Sequence, residues 1–174
     1  ILLEAVARLA GTSGRDVRLT IAGDGPLRAD LAAGADRLPD GVVSLPGTLD
    51  EAALIALLRG LDVYVQASHG ETLSTAVLQA WAAGLPVVAP DVDGLHDLVR
   101  HGQDGLLVPP RDADALADAL ALLADDRALA RRLGDAGRGR VEREHSITAM
   151  TDGYLAVLAA ADPSGPWAAA RSAQ

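Results

Sequence analysis

Cysteine is absent from the 174 residues, which excludes disulfides, thiolate zinc sites and cysteine nucleophiles. Lysine is absent too: all 15 basic residues are arginine, set against 24 Asp and Glu, for a net charge of -9. A field of that sign repels polyanions and anionic membrane surfaces, which argues against nucleic acid as a partner. No apolar run reaches the ~20 residues of a membrane span, and no basic segment followed by an apolar one opens the chain. Together these absences predict a cytoplasmic domain. A serine hydrolase is excluded because no G-x-S-x-G elbow occurs. With 49% apolar and 22% charged residues, the chain can bury one substantial core.

The pattern alternates. Apolar runs bounded by glycine or proline predict five strands, at Asp16–Gly23, Gly41–Gly47, Asp62–Ser68, Pro86–Asp91 and Gly105–Pro110. Helical periodicity fills the intervals: a first helix from Leu2 stopping at Gly11, then Leu27–Leu38, Asp50–Leu58, Thr72–Ala83 and a short turn at Leu95–Val99. Near-continuous apolar strands alternating with helices predict an α/β fold, a Rossmann-like parallel sheet with helices on both faces. From Asp112 onward only helices follow, starting at Asp112, Arg127 and Ser146, with Asp112 and Ser146 as N-caps. Residues 1–161 are expected to form one domain, and the Pro- and Gly-containing tail 162–174 to be disordered. The chain opens without methionine and already in helical phase, so a piece of a longer protein is expected.

In open parallel sheets, ligands bind beyond the carboxyl ends of the strands, so the loops there carry the candidates. Gly23, Asp24 and Gly25 form a tight turn that lets backbone approach a ligand, although an ordinary turn before a helix accounts for them equally. Leu45 and Pro46 suit the flank of a flat base; a plain strand exit is the alternative. The richest stretch is "ASHGETLSTAVLQ", Ala67 to Gln79. Backbone amides of Thr72, Leu73, Ser74, Thr75 and Ala76 at a helix start would favour a phosphate, because unpaired N–H groups and the helix dipole both attract an anion. Glu71 would repel that phosphate, so its role there would be to accept hydrogen bonds from sugar hydroxyls; capping the helix is the competing account. Gln79 lies two helical turns beyond Glu71, ~12 Å by helical rise, a span suited to the two ends of a nucleotide sugar, unless it is simply a surface residue. A fourth loop, Asp91–Asp97, is acidic and contains Gly94. His69, His96 and His101 match no metal-ligand spacing and read as solvated loop residues, so no metal is expected.

Three segments, "GDGPLRADL", "VVSLPGTLDEAALIALLRGLDVYVQAS" and "ETLSTAVLQAWAAGLPVVAPDVDGLHDLVRHGQDGLLVPPRDADALADAL", resemble the C-terminal domain of retaining GT-B glycosyltransferases of the group 1 or family 4 class. The likeness runs from about Leu2 to Ala160. It implies one half of a GT-B fold with a helical C-terminal extension, the first strand lying upstream of Ile1. It implies a nucleotide-diphosphate sugar as donor substrate, with no cofactor and no obligatory metal. Glu71 matches a family glutamate that contacts the donor sugar, making it the catalytic-site candidate. The amides from Thr72 to Ala76 would hold the diphosphate. Gln79 stands where a second glutamate normally binds the ribose, a departure that exchanges a charge-assisted hydrogen bond for a neutral one. Gly94 keeps one glycine of a paired-glycine loop, Asp93 replaces the other, and Asp97 holds the acidic position. In the family, the cations facing the diphosphate come from a strand and loop before the first helix, and the acceptor site from an N-terminal domain; neither is in this chain, so the isolated fragment is expected to be inactive. A sugar-nucleotide epimerase of related fold, or a non-catalytic module that has lost donor binding, are the alternatives.

Overall fold

The computed structural model describes residues 1–13, 16–68, 70 and 72–162. His69, Glu71 and the tail from 163 onward therefore lie outside the described residues. All five predicted strands form: β1 (Leu19–Ala22), β2 (Val43–Gly47), β3 (Tyr64–Val65), β4 (Val87–Pro90) and β5 (Gly105–Val108). They alternate with α1 (Leu2–Ser13), α2 (Arg28–Ala35), α3 (Glu51–Arg59), α4 (Thr75–Ala82) and α5 (Leu95–Leu98). Three further helices end the chain: α6 (Ala113–Asp125), α7 (Arg127–Glu144) and α8 (Ile147–Ala161). The first helix runs past Gly11, which has open space around it and stops nothing.

Every pairing is parallel, but the strands form two ladders, β1–β2 and β3–β4–β5. In the second ladder, side chains divide by strand alternation. Val88 of β4 and Leu106 and Val108 of β5 pack with α1 and α6, while Val87 and Ala89 face Val77, Ala80 and Trp81 of α4 and Leu95 of α5. Helices thus cover both faces, which is why these strands read as continuous apolar runs.

Capping sets the helix starts. Asp112 accepts from the Asp114 and Ala115 amides at 3.0 and 2.9 Å, and Ser146 from the Ala149 amide at 3.1 Å. Asp50 caps α3 by accepting from the Ala53 amide at 2.8 Å. Helix α8 buries none of its residues, and Ile147, Met150, Tyr154 and Val157 project outward along one stripe.

Candidate functional site

The loop after β1 makes a cleft of about 290 Å³ lined by Ile21–Arg28, Leu31 and Leu45. This size is close to the ~300 Å³ lower end of small-molecule sites. Gly23 has φ of 123°, a conformation side chains rarely adopt, and its amide donates to the Gly47 carbonyl at 2.7 Å. The Asp24 carboxylate accepts from the Gly25 amide at 2.8 Å, fixing the turn. Leu45 reaches the cleft because β2 carries an irregularity: Thr20 pairs with Ser44, but Ala22 pairs with Gly47. Pro46 falls in that extra stretch, where a residue without an N–H is tolerated.

The structure therefore brings Gly23, Asp24, Gly25 and Leu45 together around one cleft, while Pro46 shapes the strand and does not line it. It adds Arg28, whose guanidinium donates to the Leu45 carbonyl at 3.3 Å across the opening. Sequence reasoning missed this residue. The available signal was a lone cation three residues beyond the glycine turn in a strongly acidic chain.

Helix α4 starts later than its sequence suggests. Ser74 is the N-cap, 3% exposed, and its Oγ accepts from the Val77 amide at 3.4 Å. Thr72 and Leu73 lie outside the helix in an exposed loop, so they do not share its first-turn amides. Thr75 and Ala76 occupy the first helical positions, where N–H groups lack an intrahelical carbonyl. Gln79 is exposed one turn beyond Thr75, and its side chain has no hydrogen-bond partner among the described residues. The ~12 Å separation from Glu71 required helix throughout; with α4 beginning at Thr75 that construction fails.

What holds α4 in place is a close contact with α7. A Cβ on Gly137 would lie 2.2 Å from the Trp81 ring, and one on Gly134 would lie 2.1 Å from the Gly84 carbonyl. Trp81 is fully buried and donates from Nε1 to the Asp104 carbonyl at 2.8 Å. Arg140 stacks over its ring at 5.5 Å, pairs with the buried Asp104 carboxylate at 3.1 Å and donates to the Leu98 carbonyl. Glu144 accepts from Arg140 at 3.0 Å, and this bond holds its carboxyl below the usual range, aided by the charges of Arg140 and Arg100.

At the carboxyl end of β4, His96 contacts Asp91 at 2.5 Å. That hydrogen bond, then the Asp91 charge and the weaker fields of Asp97 and Asp93, raise the imidazole above its ordinary value. Gly94 caps α5 with φ of 78°. His101 accepts from the Leu107 amide at 3.0 Å. Among the described residues no group of three or more His, Asp or Glu could hold a metal ion.

The family model for glycosyl transferases group 1 matches residues 1–126. The chain belongs to the group 1 glycosyl transferases. Among curated relatives, it is 36% identical over 159 residues to the lipopolysaccharide core biosynthesis glycosyltransferase LpsE of Rhizobium meliloti, covering 91% of this chain and 45% of that protein. Against the phosphatidyl-myo-inositol mannosyltransferase of Mycobacterium leprae the identity is 39% over 129 residues, covering 74% of this chain and 34% of the other. The chain thus spans less than half the length of these relatives. Its fold matches the C-terminal domain of LpcC, a group 1 family protein from Francisella tularensis, with a TM-score of 0.74 at 22% identity over 83% of this chain and 77% of that one. It also matches HepE of Anabaena, crystallised with UDP-glucose, with a TM-score of 0.80 at 21% identity over 91% of this chain and 44% of that one. The architecture is that of a GT-B C-terminal domain. No described helix is long and apolar enough to cross a membrane.

Proposed function

We propose that this chain is the nucleotide-sugar donor-binding half of a retaining glycosyltransferase, which transfers a glycosyl group to an acceptor in the cleft between this half and an N-terminal domain. The observation that carries the reading is the cleft at the carboxyl end of β1, with Arg28 at its rim. Its apolar wall of Ile21, Leu27, Leu31 and Leu45 suits one face of a base, and its glycine turn lets backbone come close to a ribose. The Thr75 and Ala76 amides favour a diphosphate oxygen. Arg28 supplies a cation that can form a charge-assisted hydrogen bond to the nucleotide. In this reading Glu71 accepts from hydroxyls of the donor sugar, and Gln79 accepts from a ribose hydroxyl in place of a carboxylate.

The chemistry requires stabilisation of the negative charge that develops on the departing nucleoside diphosphate, usually a large catalytic contribution. Two helix amides supply only part of it, so the chain alone is expected to bind donor without turnover. The test is product analysis with a longer protein that joins this chain to an N-terminal domain of its family and with the 174-residue chain alone, each given nucleotide sugars and candidate acceptors. Transfer with retained anomeric configuration by the longer protein only is the expected result. Multiple turnovers by the short chain, or an inverted product, would overturn the corresponding part.

A further inference from the structure

Strand β3 differs from its neighbour β4 on one face of the sheet. By strand alternation Tyr64, Gln66 and Ser68 point to the same side, and Tyr64 packs in the cluster formed by Val77 and Trp81 of α4, Val87 and Ala89 of β4 and Leu95 of α5. On β4 that face is apolar and buried. On β3 and its continuation three half-buried polar side chains follow one another instead. They are joined end to end: the Tyr64 hydroxyl donates to Gln66 Oε1 at 2.6 Å, and Gln66 Nε2 donates to Ser68 Oγ at 2.6 Å. The backbone beneath them is fixed, because the Tyr64 and Gln66 amides donate to the Pro86 and Val88 carbonyls at 3.0 and 2.9 Å.

The relay has a direction and a destination. A tyrosine hydroxyl carries one proton, so donating it to Gln66 sets which way the side-chain amide faces, and the amide then presents its N–H to Ser68. Gln66 and Ser68 line a cavity of about 50 Å³ with Ala89, Pro90 and Val108, at the carboxyl ends of β3, β4 and β5. That is the edge where ligands bind in sheets of this kind. A leucine at position 66 would simply pack; a chain of paired polar groups on such a face costs desolvation and gives one defined orientation in place of packing. We propose that Tyr64 and Gln66 are positioning residues for donor-sugar binding: through Ser68 they hold the connection from β3 to α4 in the form that receives the sugar. The inference rests on the donor-site reading, in which the base lies in the cleft after β1 and the diphosphate at the Thr75 and Ala76 amides. The connection from Ser68 to the α4 cap Ser74 adjoins that diphosphate and lines no part of the base cleft, which leaves the sugar as the group it meets.

Two substitutions break the relay while sparing the packing. Tyr64→Phe keeps the ring and removes the first donor; Gln66→Glu keeps an acceptor for Tyr64 and removes the donor to Ser68. Calorimetry on this chain compares UDP, GDP, ADP and TDP with the glucose and mannose esters of each. Affinity for the free diphosphate should stay within about twofold, while each substitution weakens binding of the ester about fivefold, the size of one neutral hydrogen bond. Without nucleotide, amide exchange at Ser68 and Gly70 should quicken in both variants while Val88 stays protected. Equal weakening of diphosphate and ester, as a general loss of stability would give, overturns the inference. So does unchanged ester binding, or unchanged exchange at Ser68 and Gly70. An effect of Tyr64→Phe with none from Gln66→Glu would also sink it, since Ser68 would then donate to the amide and the relay would run the other way. If the unsubstituted chain binds none of these nucleotides, the donor-site reading fails and this inference falls with it; nucleotide binding with an unaltered ester affinity in both variants fails the inference alone.

Discussion

The two ladders carry the two ends of the candidate site and differ in how they are held. In β4 and β5 six of eight residues are buried, with burial broken only at Pro90 and Leu107, whereas β1 has no buried residue. Helix α4 is fixed by Trp81, Arg140, Asp104 and two glycine contacts; α2, beside the cleft after β1, buries nothing. The helix that would meet a diphosphate is therefore preorganised by this chain's own packing. The cleft that would meet a base leans on a ladder with an open edge. The first end is held by buried packing; the second is held by backbone and Asx-type hydrogen bonds at Gly23 and Asp24 on a half-buried strand.

Substitutions can break or sharpen that contrast. The largest effect is expected for Trp81→Ala, which empties a fully buried site and should cost about 3–5 kcal/mol by urea unfolding. Leu19→Ala, in the half-buried β1, should cost about 1–2 kcal/mol in the same measurement; equal costs would erase the distinction between the ladders. Removing one member of a buried pair, with Asp104→Ala leaving Arg140 without its carboxylate, should also fall at about 3–5 kcal/mol. Ser74→Ala removes the α4 cap and should cost about 1 kcal/mol. Beside the other ladder, at the start of α2, Arg28→Ala should leave stability nearly unchanged and weaken nucleotide binding about tenfold (~1.4 kcal/mol), read by calorimetry.

The smallest effect concerns pH. His96 is exposed and its pKa is raised chiefly by its hydrogen bond to Asp91. A raised folded-state value means the pair contributes fully below the ordinary histidine pKa and loses that contribution as pH climbs through the raised one. NMR titration should place the His96 midpoint above 6.5, and Asp91→Asn should move it downward.

Much of this was legible in the residue pattern because period and punctuation carry it. Five apolar runs bounded by Gly or Pro became five parallel strands, and Asp112 and Ser146 became caps. Gly23, Asp24, Gly25 and Leu45 met in one cleft because strand-end loops converge in this architecture. The start of α4 was misjudged since Glu71, Thr72 and Ser74 all have oxygens that can cap, and only tertiary packing selects Ser74. Arg28 was missed because its reach to the Leu45 carbonyl spans 17 residues. The split of the sheet also had no local signal: strand edges are paired or left open by partners distant in sequence.

The central claim is that the cleft after β1 and the start of α4 bind one nucleotide diphosphate together. Chemical-shift titration of this chain with UDP, GDP, ADP and TDP tests it most directly. The account predicts saturable shifts for one base, at Gly23, Asp24, Gly25, Leu45, Thr75 and Ala76 with a single dissociation constant, weakened by Arg28→Ala and Gln79→Ala. Shifts confined to one of the two loops, or independent of both substitutions, would contradict it.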